Sequence, residues 1–563
     1  MQQALTTDKE NVVTLIEALV AHGVERVILS PGTRNTPLIL AVARDKRLKS
    51  DVVIDERSAA FIALGMASQS GRPVALMCTS GSAVLNYAPA VAEAFYREIP
   101  LIIVSADRPR QWIDQDDSQT IRQTEILHNI VKQSCTVDVD SPEPSLRRMA
   151  VRDINDAMIA AVSGRPGPVH INIHLDTPLG RTTLHSLRPD TIRAILPQAT
   201  MRMQQVRELA DRLSGRRVMV IAGFMPPSRN LSRGLARLAA CPGIAVLHEA
   251  QSNVHGHGLI GQIDRTLSAM SDDERRSMAP DVVITMGGSL VSRFIKTWLR
   301  GIPGLIHWHV GVRGQSVDCF NSLSLRIEMS PESLIPLLAS ACLKIEDKSD
   351  YNLRWHEIAA RGAECARRYV SQAPWSDLTA IGYVIGHIPS KFNLHLSNGT
   401  AVRYVQLFDY GNIHRIDSNR GVSGIDGCTS TALGASAVYN HPTLLISGDM
   451  SAQYDIAAFS SSMMSPRFKM IVLNNGGGGI FRFIDSTKTL DELDNYIAGN
   501  VTLPMSGLAE AYGIRYFRAD SMNELKTQFG AFADTQDAPA VLEIVTDGTL
   551  SAQVLTEYFK NTR

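Results

Sequence analysis

The stretch that decides the fold is GDMSAQYDIAAFSSSMMSPRFKMIVLNNGGGGIF, residues 448–481. Its acidic residue, Asp449, follows the apolar run TLLIS, and the pair Asn474 and Asn475 follows a second apolar run, MIVL. The segment 451–464 between the runs has the length of a helix. A right-handed strand–helix–strand crossover would put both polar ends at one edge of a parallel sheet. We therefore predict an α/β fold that brings these three side chains together.

The residue types at this edge suit a divalent cation and a diphosphate. Magnesium prefers hard oxygen ligands and usually takes them from few protein groups plus substrate phosphates. The carboxylate of Asp449, the amide oxygen of Asn475 and a backbone carbonyl of the following loop would meet that demand. The glycines 476–479 would let the backbone approach an anion and turn N–H groups toward it. GD and NNGG each occur in ordinary turns, so either piece alone is weak evidence for such a site.

Length and composition exclude several classes of protein. A chain of 563 residues is too long for one core, so we expect two to four domains. Lys+Arg 56 balances Asp+Glu 56, so the charge indicates neither a nucleic acid nor an anionic membrane as partner. The N-terminus lacks an apolar signal core and no long apolar run occurs, which predicts a cytoplasmic protein. Seven scattered cysteines without a CxxC pair predict neither a disulfide framework nor a zinc site.

Short β-branched runs alternate with helix-length segments along the chain, which indicates α/β architecture with parallel sheets. Polar stretches near 186–200 and at 344–352 separate three units. We predict three doubly wound parallel-sheet domains, at 1–185, 200–343 and 355–563. Ligands of such sheets bind beyond the carboxyl ends of the strands. The predicted strands are 24–29, 74–78, 101–105, 169–173, 218–222, 282–286, 305–310, 394–397, 443–447, 469–473 and 541–545.

The combination of GD and a distant NN resembles the cofactor signature of the thiamin diphosphate-dependent enzymes. Met450 stands where that signature usually has glycine, a departure that keeps both the acid and the amide. The resemblance implies Mg²⁺ or Mn²⁺ held by Asp449, Asn475 and Gly477. It also implies cofactor contacts from Gly448, Asp449, Met450, Ser451, Asn475, Gly477, Gly478 and Ile480.

A thiamin cofactor needs a carboxyl group near its pyrimidine ring, because a hydrogen bond there favours the tautomer that removes the C2 proton. Glu56 follows the run VVID and precedes an apolar, alanine-rich helix, so it is the candidate for this catalytic role. A glutamate at a helix start is otherwise explained by the helix dipole. In this superfamily the two ends of the cofactor belong to different subunits, which implies a homodimer or a dimer of dimers (homotetramer).

Six further sequence segments make the resemblance more specific. Together they resemble the corresponding segments of the MenD family. This is the family of 2-succinyl-5-enolpyruvyl-6-hydroxy-3-cyclohexene-1-carboxylate (SEPHCHC) synthases of menaquinone biosynthesis. Its members decarboxylate 2-oxoglutarate and add the succinyl-semialdehyde carbanion equivalent in 1,4 fashion to isochorismate, with release of CO₂. The middle unit matches weakly. The blocks are SPGTRNTPL (30–38), DERSAAFIALG (55–65), CTSGSAVLNYAPAVAEA (78–94), SADRP (105–109), SNRGVSGIDG (418–427) and NNGGGGIF (474–481).

Such substrates bring several carboxylates into one pocket, which requires arginines because guanidinium pairs bidentately with carboxylate. The chain supplies Arg34, Arg108, Arg403 and Arg420 in loops predicted at strand ends. Ile425 is implied to hold the cofactor in its bent shape. The substrate contacts that the resemblance implies are Thr33, Arg34, Arg108, Gln119, Arg293, Arg403, Arg420, Ile480 and Phe481.

Three positions depart from the family pattern. Thr33 stands where serine is common, and Gly399 stands where a serine is usual. Arg293 is the single basic residue where some relatives carry two in succession. The last two departures concern the binding of isochorismate, whereas the core chemistry does not depend on any of the three.

Other functions fit part of the sequence. Another thiamin diphosphate-dependent 2-oxoacid decarboxylase, or an acetohydroxyacid synthase, needs only a small acyl donor, so the arginine set would lack a purpose. A nucleotide-binding oxidoreductase needs GxGxxG after an early strand and an acid about 20 residues on, which the sequence lacks. A non-catalytic protein of this fold would have lost Glu56 or Asp449, and both are present.

Overall fold

A computed structural model describes residues 5–184, 190–411, 413–499 and 503–562. The strands of this part of the chain are β1 Leu5–Thr7, β2 Arg26–Leu29, β3 Lys49–Val52, β4 Val74–Cys78, β5 Leu101–Asp107, β6 Gln133–Val137, β7 Val169–His174, β8 Thr182–Leu184, β9 Val218–Ala222, β10 Ile244–His248, β11 Leu259–Ile260, β12 Val282–Met286, β13 Ile306–Val310, β14 Leu323–Ile327, β15 Asn393–Leu396, β16 Arg415–Ser418, β17 Thr443–Gly448, β18 Phe468–Asn474, β19 Arg515–Ala519 and β20 Ala540–Val545.

The α-helices alternate with these strands. They are α1 Glu10–Ala21, α2 Thr36–Arg44, α3 Glu56–Ser70, α4 Ala83–Asn86, α5 Ala88–Arg97, α6 Pro144–Val162, α7 Met203–Asp211, α8 Arg229–Leu238, α9 Ile263–Ser268, α10 Asp272–Ser277, α11 Arg293–Arg300, α12 Pro331–Cys342, α13 Tyr351–Gln372, α14 Asp377–His387, α15 Ala401–Val405, α16 Cys428–Val438, α17 Asp449–Tyr454, α18 Met505–Ala511, α19 Met522–Asp534 and α20 Gly548–Asn561. None of the helices in the described ranges has the length and apolar character needed to cross a membrane.

The strands form three six-stranded parallel sheets and one small antiparallel pair, β1 with β8. This confirms the predicted α/β fold with three parallel sheets, and every strand predicted from the sequence is present within a few residues. The N-terminal sheet has the order β3-β2-β4-β5-β7-β6, the central sheet β11-β10-β9-β12-β13-β14, and the C-terminal sheet β16-β15-β17-β18-β20-β19.

The N-terminal and C-terminal sheets share one topology, because their strands, renumbered within each sheet, follow the order 2-1-3-4-6-5. The strand order reverses between β2 and β4 in one sheet and between β15 and β17 in the other. Ligands of open α/β sheets bind at such switch points, beyond the carboxyl ends of the strands. The topology therefore directs attention to the loops that follow β2, β4, β15 and β17.

The chain divides into two compact units. The first holds the described parts of Met1–Leu196, Gly421–Thr443 and Tyr454–Phe468, and the second those of Pro197–Arg420, Leu444–Gln453 and Lys469–Arg563. The strands of each large sheet fall within one of the ranges 1–185, 200–343 and 355–563, although these domain limits stay a prediction. The predicted linker near 186–200 is irregular over 190–200, and its residues before 190 lie outside the described residues.

In the first unit, α3 and α16 cross at close range because each carries glycine at the contact. A Cβ on Gly65 would lie 1.9 Å from the carbonyl oxygen of Thr431, and one on Gly434 would lie 2.0 Å from that of Ile62. Only a residue without a side chain fits either position. The crossing fixes the helix that begins at Glu56.

The predicted helix at 451–464 is wrong. Helix α17 ends at Tyr454, and a 3-10 turn at Ile456–Ser460 follows it. The buried carboxylate of Asp455 interrupts the helix, since it accepts hydrogen bonds from the backbone N–H of Ser430 (2.6 Å) and from its hydroxyl (2.8 Å). Strands β17 and β18 are nevertheless neighbours in the sheet, so the predicted meeting of their ends holds.

Candidate active site

Asp449 lies at the carboxyl end of β17 and is 1% exposed. One carboxylate oxygen accepts a hydrogen bond from the N–H of Met450 (2.7 Å), and the other accepts from Gly476 and Gly477 (2.9 Å each). Burial and the nearby carboxyl of Asp377 raise the pKa of Asp449 to about 6. The acid thus ties the end of β17 to the glycine loop after β18.

The glycine loop differs from the prediction in one respect, because its N–H groups donate within the protein. Gly476 and Gly477 donate to Asp449, Gly478 donates to the carbonyl of Ala498 (2.7 Å), and Gly479 donates to that of Gly477 (2.9 Å). Gly477 has φ +137°, and a Cβ there would lie 2.2 Å from the carbonyl oxygen of the residue at 499, so no other residue fits. The loop is shaped by Asp449 and by close backbone packing.

Asn475 is held by Asp377, an acid that the sequence did not single out. Its Nδ2 donates to one carboxylate oxygen of Asp377 (2.7 Å), and the hydroxyl of Thr546 donates to the other (2.5 Å). Asp377 is 1% exposed at the start of α14, and burial raises its pKa. The two acids and the amide therefore form one buried polar cluster.

This cluster fits a divalent cation. None of the ion pairs among the described residues involves Asp377 or Asp449, so two buried carboxyl groups interact electrostatically without a cationic side chain to pair with. A buried charge is costly unless it is paired or coordinates a metal. Within the described ranges no three His, Cys, Asp or Glu side chains gather as a metal site. A cation here would therefore take its other oxygens from Asn475, a backbone carbonyl and a phosphate.

Three arginines of the second unit converge beside this edge of the sheet. Arg403 lies on α15 after β15, Arg420 follows β16, and Arg293 begins α11. Burial, together with the charges of Arg420 and Arg293, lowers the pKa of Arg403 to about 10. Arg420 donates to Oδ1 of Asn398 (2.9 Å), and Arg403 donates to the carbonyl of Gly399. Three crowded guanidinium groups favour the binding of carboxylates.

Arg293 and Arg403 also line a cavity of about 710 Å³, which is the size of a small-molecule site. The rest of its wall is mixed: it holds Arg275, Asp485 and hydroxyl side chains together with six aromatic and aliphatic residues. This apolar lining comes from Leu267, Phe294, Trp298, Phe483, Ile484 and Phe559. A cavity whose wall combines three arginines and one acid with an apolar surface suits an organic acid with a carbon ring or chain.

The central sheet supports this cavity through two acids that the sequence analysis missed. The buried carboxylate of Glu249 accepts hydrogen bonds from the N–H groups of Val291 and Ser292 (2.7 Å each). The hydroxyl of Ser292 donates to Asp264 and also caps α11 by accepting from Ile295 N–H (3.1 Å). These bonds fix the loop from which Arg293 projects. Glu249 follows β10 directly, and that strand-end position is the signal that could have found it.

We expect Glu249→Gln to destabilise the protein by about 1–3 kcal/mol, because the new amide would leave a buried backbone N–H without an acceptor. Urea unfolding compared with the wild type measures the loss. Glu346→Gln, at a side chain that is 86% exposed, serves as the matched control and should change the free energy of unfolding by less than about 0.5 kcal/mol. Equal stability of Glu249→Gln and the wild type would remove the proposed support of the Arg293 loop.

In the first unit, Glu56 begins α3 directly after the N-cap residue Asp55, whose side chain accepts from the N–H of Ser58. Its Oε2 accepts a hydrogen bond from the amide of Asn86 (3.3 Å). The carboxyl group is partly exposed, and Ile54 beside it is 81% exposed. Glu56 is thus fixed at a helix start but not enclosed.

Arg34 and Arg108 come together after β2 and β5. Arg34 is 8% exposed and donates to the carbonyl of Leu175 (2.9 Å), while Arg108 pairs with Asp117 (2.6 Å). Burial and the charge of Arg108 lower the pKa of Arg34. These two of the four arginines predicted from the sequence thus lie near each other, and their contact with a substrate stays a prediction.

Glu93 on α5 is a further missed residue of the first unit. Its fully buried carboxylate accepts hydrogen bonds from the N–H groups of Gly421 (2.8 Å) and Val422 (2.7 Å). These residues begin the loop that carries Ile425, which is partly buried. Glu93 thereby holds the start of that loop.

The predicted residues fall into two sets, one in each unit. The first unit holds Thr33, Arg34, Glu56, Arg108, Gln119 and Ile425, of which Thr33 and Gln119 are exposed. The second unit holds Arg293, Arg403, Arg420, Gly448, Asp449, Met450, Ser451, Asn475, Gly477, Gly478, Ile480 and Phe481. Ile480 and Phe481 are partly buried in a 3-10 turn, Gly479–Arg482.

Comparison with known proteins shows that both units of the chain match models of one kind of enzyme. Residues 12–126 match the model described as "Thiamine pyrophosphate enzyme, N-terminal TPP binding domain", 190–377 match "Middle domain of thiamine pyrophosphate", and 399–544 match "Thiamine pyrophosphate enzyme, C-terminal TPP binding domain". Thiamine pyrophosphate is another name for thiamin diphosphate. The SEPHCHC synthase of Porphyromonas gingivalis is 38% identical in sequence to this chain. The alignment covers 98% of this chain and 97% of the relative's chain. The chain belongs to the SEPHCHC synthase family.

Other SEPHCHC synthases match over a similar length. The SEPHCHC synthase of Flavobacterium johnsoniae is 36% identical to this chain, and the alignment covers 97% of this chain and 98% of the relative's chain. That of Christiangramia forsetii is 34% identical, and the alignment covers 97% of both chains. These matches confirm the resemblance drawn from the sequence blocks. They also cover the central sheet, where the blocks are weak.

In the central sheet the strands, renumbered from β9 as the first, follow the order 3-2-1-4-5-6. Dinucleotide-binding folds have the same order. The loop after the first strand, β9, reads GFMPPSRN without the glycine fingerprint. The N–H of Gly288 donates to the carbonyl of Phe224 (2.7 Å), which joins this loop to the one after β12. The two loops that would flank a dinucleotide are thus bonded to each other.

The structure shows the surroundings of two positions that depart from the SEPHCHC synthase pattern, Gly399 and Arg293. Gly399 has φ +95°, and its carbonyl accepts from Arg403, so the backbone takes part in placing that arginine. Lys296, one helical turn after Arg293, is near Glu249 and Arg420 and donates to the carbonyl of Leu290 (2.8 Å). The chain therefore keeps a second cation close to Arg293, although not next to it in sequence.

Proposed function

We propose that this chain is a thiamin diphosphate-dependent SEPHCHC synthase of menaquinone biosynthesis. In this transferase reaction 2-oxoglutarate loses CO₂, and the remaining four-carbon unit adds in 1,4 fashion to isochorismate. The observation that carries the proposal is the convergence of Arg293, Arg403 and Arg420 beside a cavity at the sheet edge that bears Asp449. A simple 2-oxoacid decarboxylase or an acetohydroxyacid synthase has no need of three such cations.

The cofactor set of the proposal follows from the buried acid cluster. Asp449, Asn475 and the carbonyl of Gly477 would hold Mg²⁺ or Mn²⁺. When bound, thiamin diphosphate would supply a nucleophilic carbon and, in its thiazolium ring, an electron sink for the negative charge left by decarboxylation. The other residues proposed to contact it are Glu56, Ile425, Gly448, Met450, Ser451, Gly478 and Ile480.

The chain's own groups position substrates and protons. The guanidinium groups bind substrate carboxylates and orient them, since a planar fork pairs with both oxygens of a carboxylate. Thr33, Arg34, Arg108, Gln119 and the apolar pair Ile480 and Phe481 complete the proposed substrate contacts. Glu56 would hold a proton at the pyrimidine ring of the cofactor, which is general acid–base work. The aromatic wall of the cavity would exclude water from the reacting carbon.

We further propose that the protein acts as a cytoplasmic homodimer or dimer of dimers with active sites at subunit interfaces. Glu56 is supported as an interface residue by its surroundings, because Val52 is 53% and Ile54 81% exposed beside it. Exposed apolar residues around a functional carboxylate favour a covering partner. Neither a nucleic acid nor a membrane enters the proposal.

Product analysis tests the function directly. The purified chain, thiamin diphosphate, Mg²⁺, isochorismate and 2-oxoglutarate labelled in the carboxyl next to its keto group should yield labelled CO₂ and the SEPHCHC product, identified by mass spectrometry. Labelled pyruvate in a parallel reaction is the control, and it should release little CO₂. Equal release from pyruvate, without any condensation product, would instead favour the simple decarboxylase.

We expect Arg420→Ala to lower kcat/KM for the carboxylate substrates roughly 30- to 150-fold, because a charge-assisted pair is lost. This change corresponds to about 2–3 kcal/mol of lost transition-state stabilisation. The variant's affinity for thiamin diphosphate, measured by calorimetry, should stay within about twofold. Arg276→Ala, at a side chain that is 74% exposed, is the matched control and should change neither quantity. Normal turnover by a folded Arg420→Ala protein would contradict the carboxylate pocket.

A further inference from the structure

The amide of Asn475 is the one proposed metal ligand that has two possible orientations. An asparagine side chain ends in an oxygen, which accepts hydrogen bonds and binds cations, and in an NH₂ group, which does neither. The two ends have nearly the same shape, so packing alone does not choose between them. A neighbour that only accepts hydrogen bonds does choose, because it must face the NH₂ end.

Asp377 is such a neighbour. An ionised carboxylate has acceptors only, and one oxygen of Asp377 lies 2.7 Å from Nδ2 of Asn475. Its other oxygen is engaged by the hydroxyl of Thr546 (2.5 Å), and its backbone N–H donates to Oγ of Ser551 (3.1 Å). The side chain is 1% exposed and starts α14, where Ser376 provides the N-cap. It is therefore fixed on every side.

Charge adds a second reason for an acid at this position. Asp377 interacts electrostatically with Asp449, and neither forms an ion pair among the described residues. Two buried carboxylates repel each other, and a divalent cation near them removes that repulsion. The same residue thus orients one ligand and contributes negative charge behind the site.

We propose that Asp377 is a positioning residue that selects the orientation in which Asn475 presents its oxygen to the divalent metal. The inference rests on the proposed metal site, since it deepens the role of Asn475 there. Asp377 does not touch the metal in this proposal. It acts only through the amide and through its charge.

Asp377→Asn tests the proposal, because asparagine has nearly the same size and shape as aspartate but carries an NH₂ group in place of one oxygen. Two facing amides pair equally well in either orientation, so Asn475 would lose its preference. We expect the affinity for Mg²⁺, titrated by calorimetry at saturating thiamin diphosphate, to fall about 10- to 100-fold. Thr546→Val is the matched control, because it removes the other hydrogen bond of Asp377 and leaves the amide untouched; it should change the affinity less than about threefold.

Exchanging the two residues separates orientation from general damage. In Asp377→Asn with Asn475→Asp, the new amide at 377 faces a carboxylate at 475, which has an oxygen on the metal side in any orientation. The double variant should regain most of the lost Mg²⁺ affinity. It also decides the matter should the single variant fail to fold.

Two outcomes would overturn the proposal: wild-type Mg²⁺ affinity in folded Asp377→Asn, or no recovery of affinity in a folded double variant. These titrations contain no substrate, so they stand apart from the test of function. A protein that binds metal and thiamin diphosphate as expected but forms no SEPHCHC would refute the proposed reaction and leave the role of Asp377 intact.

Discussion

Glu56→Gln is expected to leave thiamin diphosphate bound while slowing the exchange of its C2 proton with solvent by about 10²–10⁴-fold, the usual contribution of general acid–base catalysis. Glutamine keeps the length of the side chain and can still accept the hydrogen bond that Asn86 donates to Glu56. It has no carboxyl proton to share with the pyrimidine ring. The substitution therefore removes the chemistry and keeps the contacts.

The measurement is deuterium exchange of bound thiamin diphosphate, quenched with acid and read by NMR. Calorimetry of cofactor binding accompanies it. Glu25→Gln offers a matched control in the same unit, because Glu25 is 62% exposed and pairs with Arg72. An exchange rate like that of the wild type in Glu56→Gln would exclude Glu56 from the proton relay.

The sequence predicted the sheets and the strand ends well because both follow from local patterns. Buried central strands of parallel sheets contain continuous apolar runs, as β4 and the first four residues of β5 do, and all residues of both strands are buried. Edge strands lack that signal, although the apolar interior strand β10 was missed as well. β3, β14 and β19 contain charged and exposed residues, and these strands at sheet edges were missed.

The supporting acids were missed for a different reason. Asp377 and Asn475 are 98 residues apart, Glu249 and Val291 are 42 apart, and Glu93 and Gly421 are 328 apart. Asp377 begins α14 and Glu249 follows β10, positions where acids are common anyway, and Glu93 lies inside α5. The buried hydrogen bonds of each acid depend on tertiary packing, which no local pattern reports. The candidate ligands were therefore predictable, whereas the residues that orient them were not.

Asp449→Asn is expected to abolish measurable binding of Mg²⁺ and of thiamin diphosphate together, since the diphosphate is held through the metal. Equilibrium dialysis of both ligands measures this loss. Adding EDTA to the wild type should lower its cofactor affinity in the same way. Cofactor affinity that survives in the variant would contradict the assignment of Asp449 as a metal ligand.

The stability of the same variant in EDTA distinguishes a ligand from a structural clamp. Asp449 accepts hydrogen bonds from Met450, Gly476 and Gly477, so a clamp role alone predicts that Asp449→Asn loses about 1–3 kcal/mol. A metal ligand in the metal-free protein is instead a buried negative charge that faces Asp377. Removing that charge relieves repulsion and offsets the lost bond. We therefore expect metal-free Asp449→Asn to unfold in urea at or above the wild-type midpoint. With Mg²⁺ and thiamin diphosphate present the order should reverse, because only the wild type gains stability from its ligands.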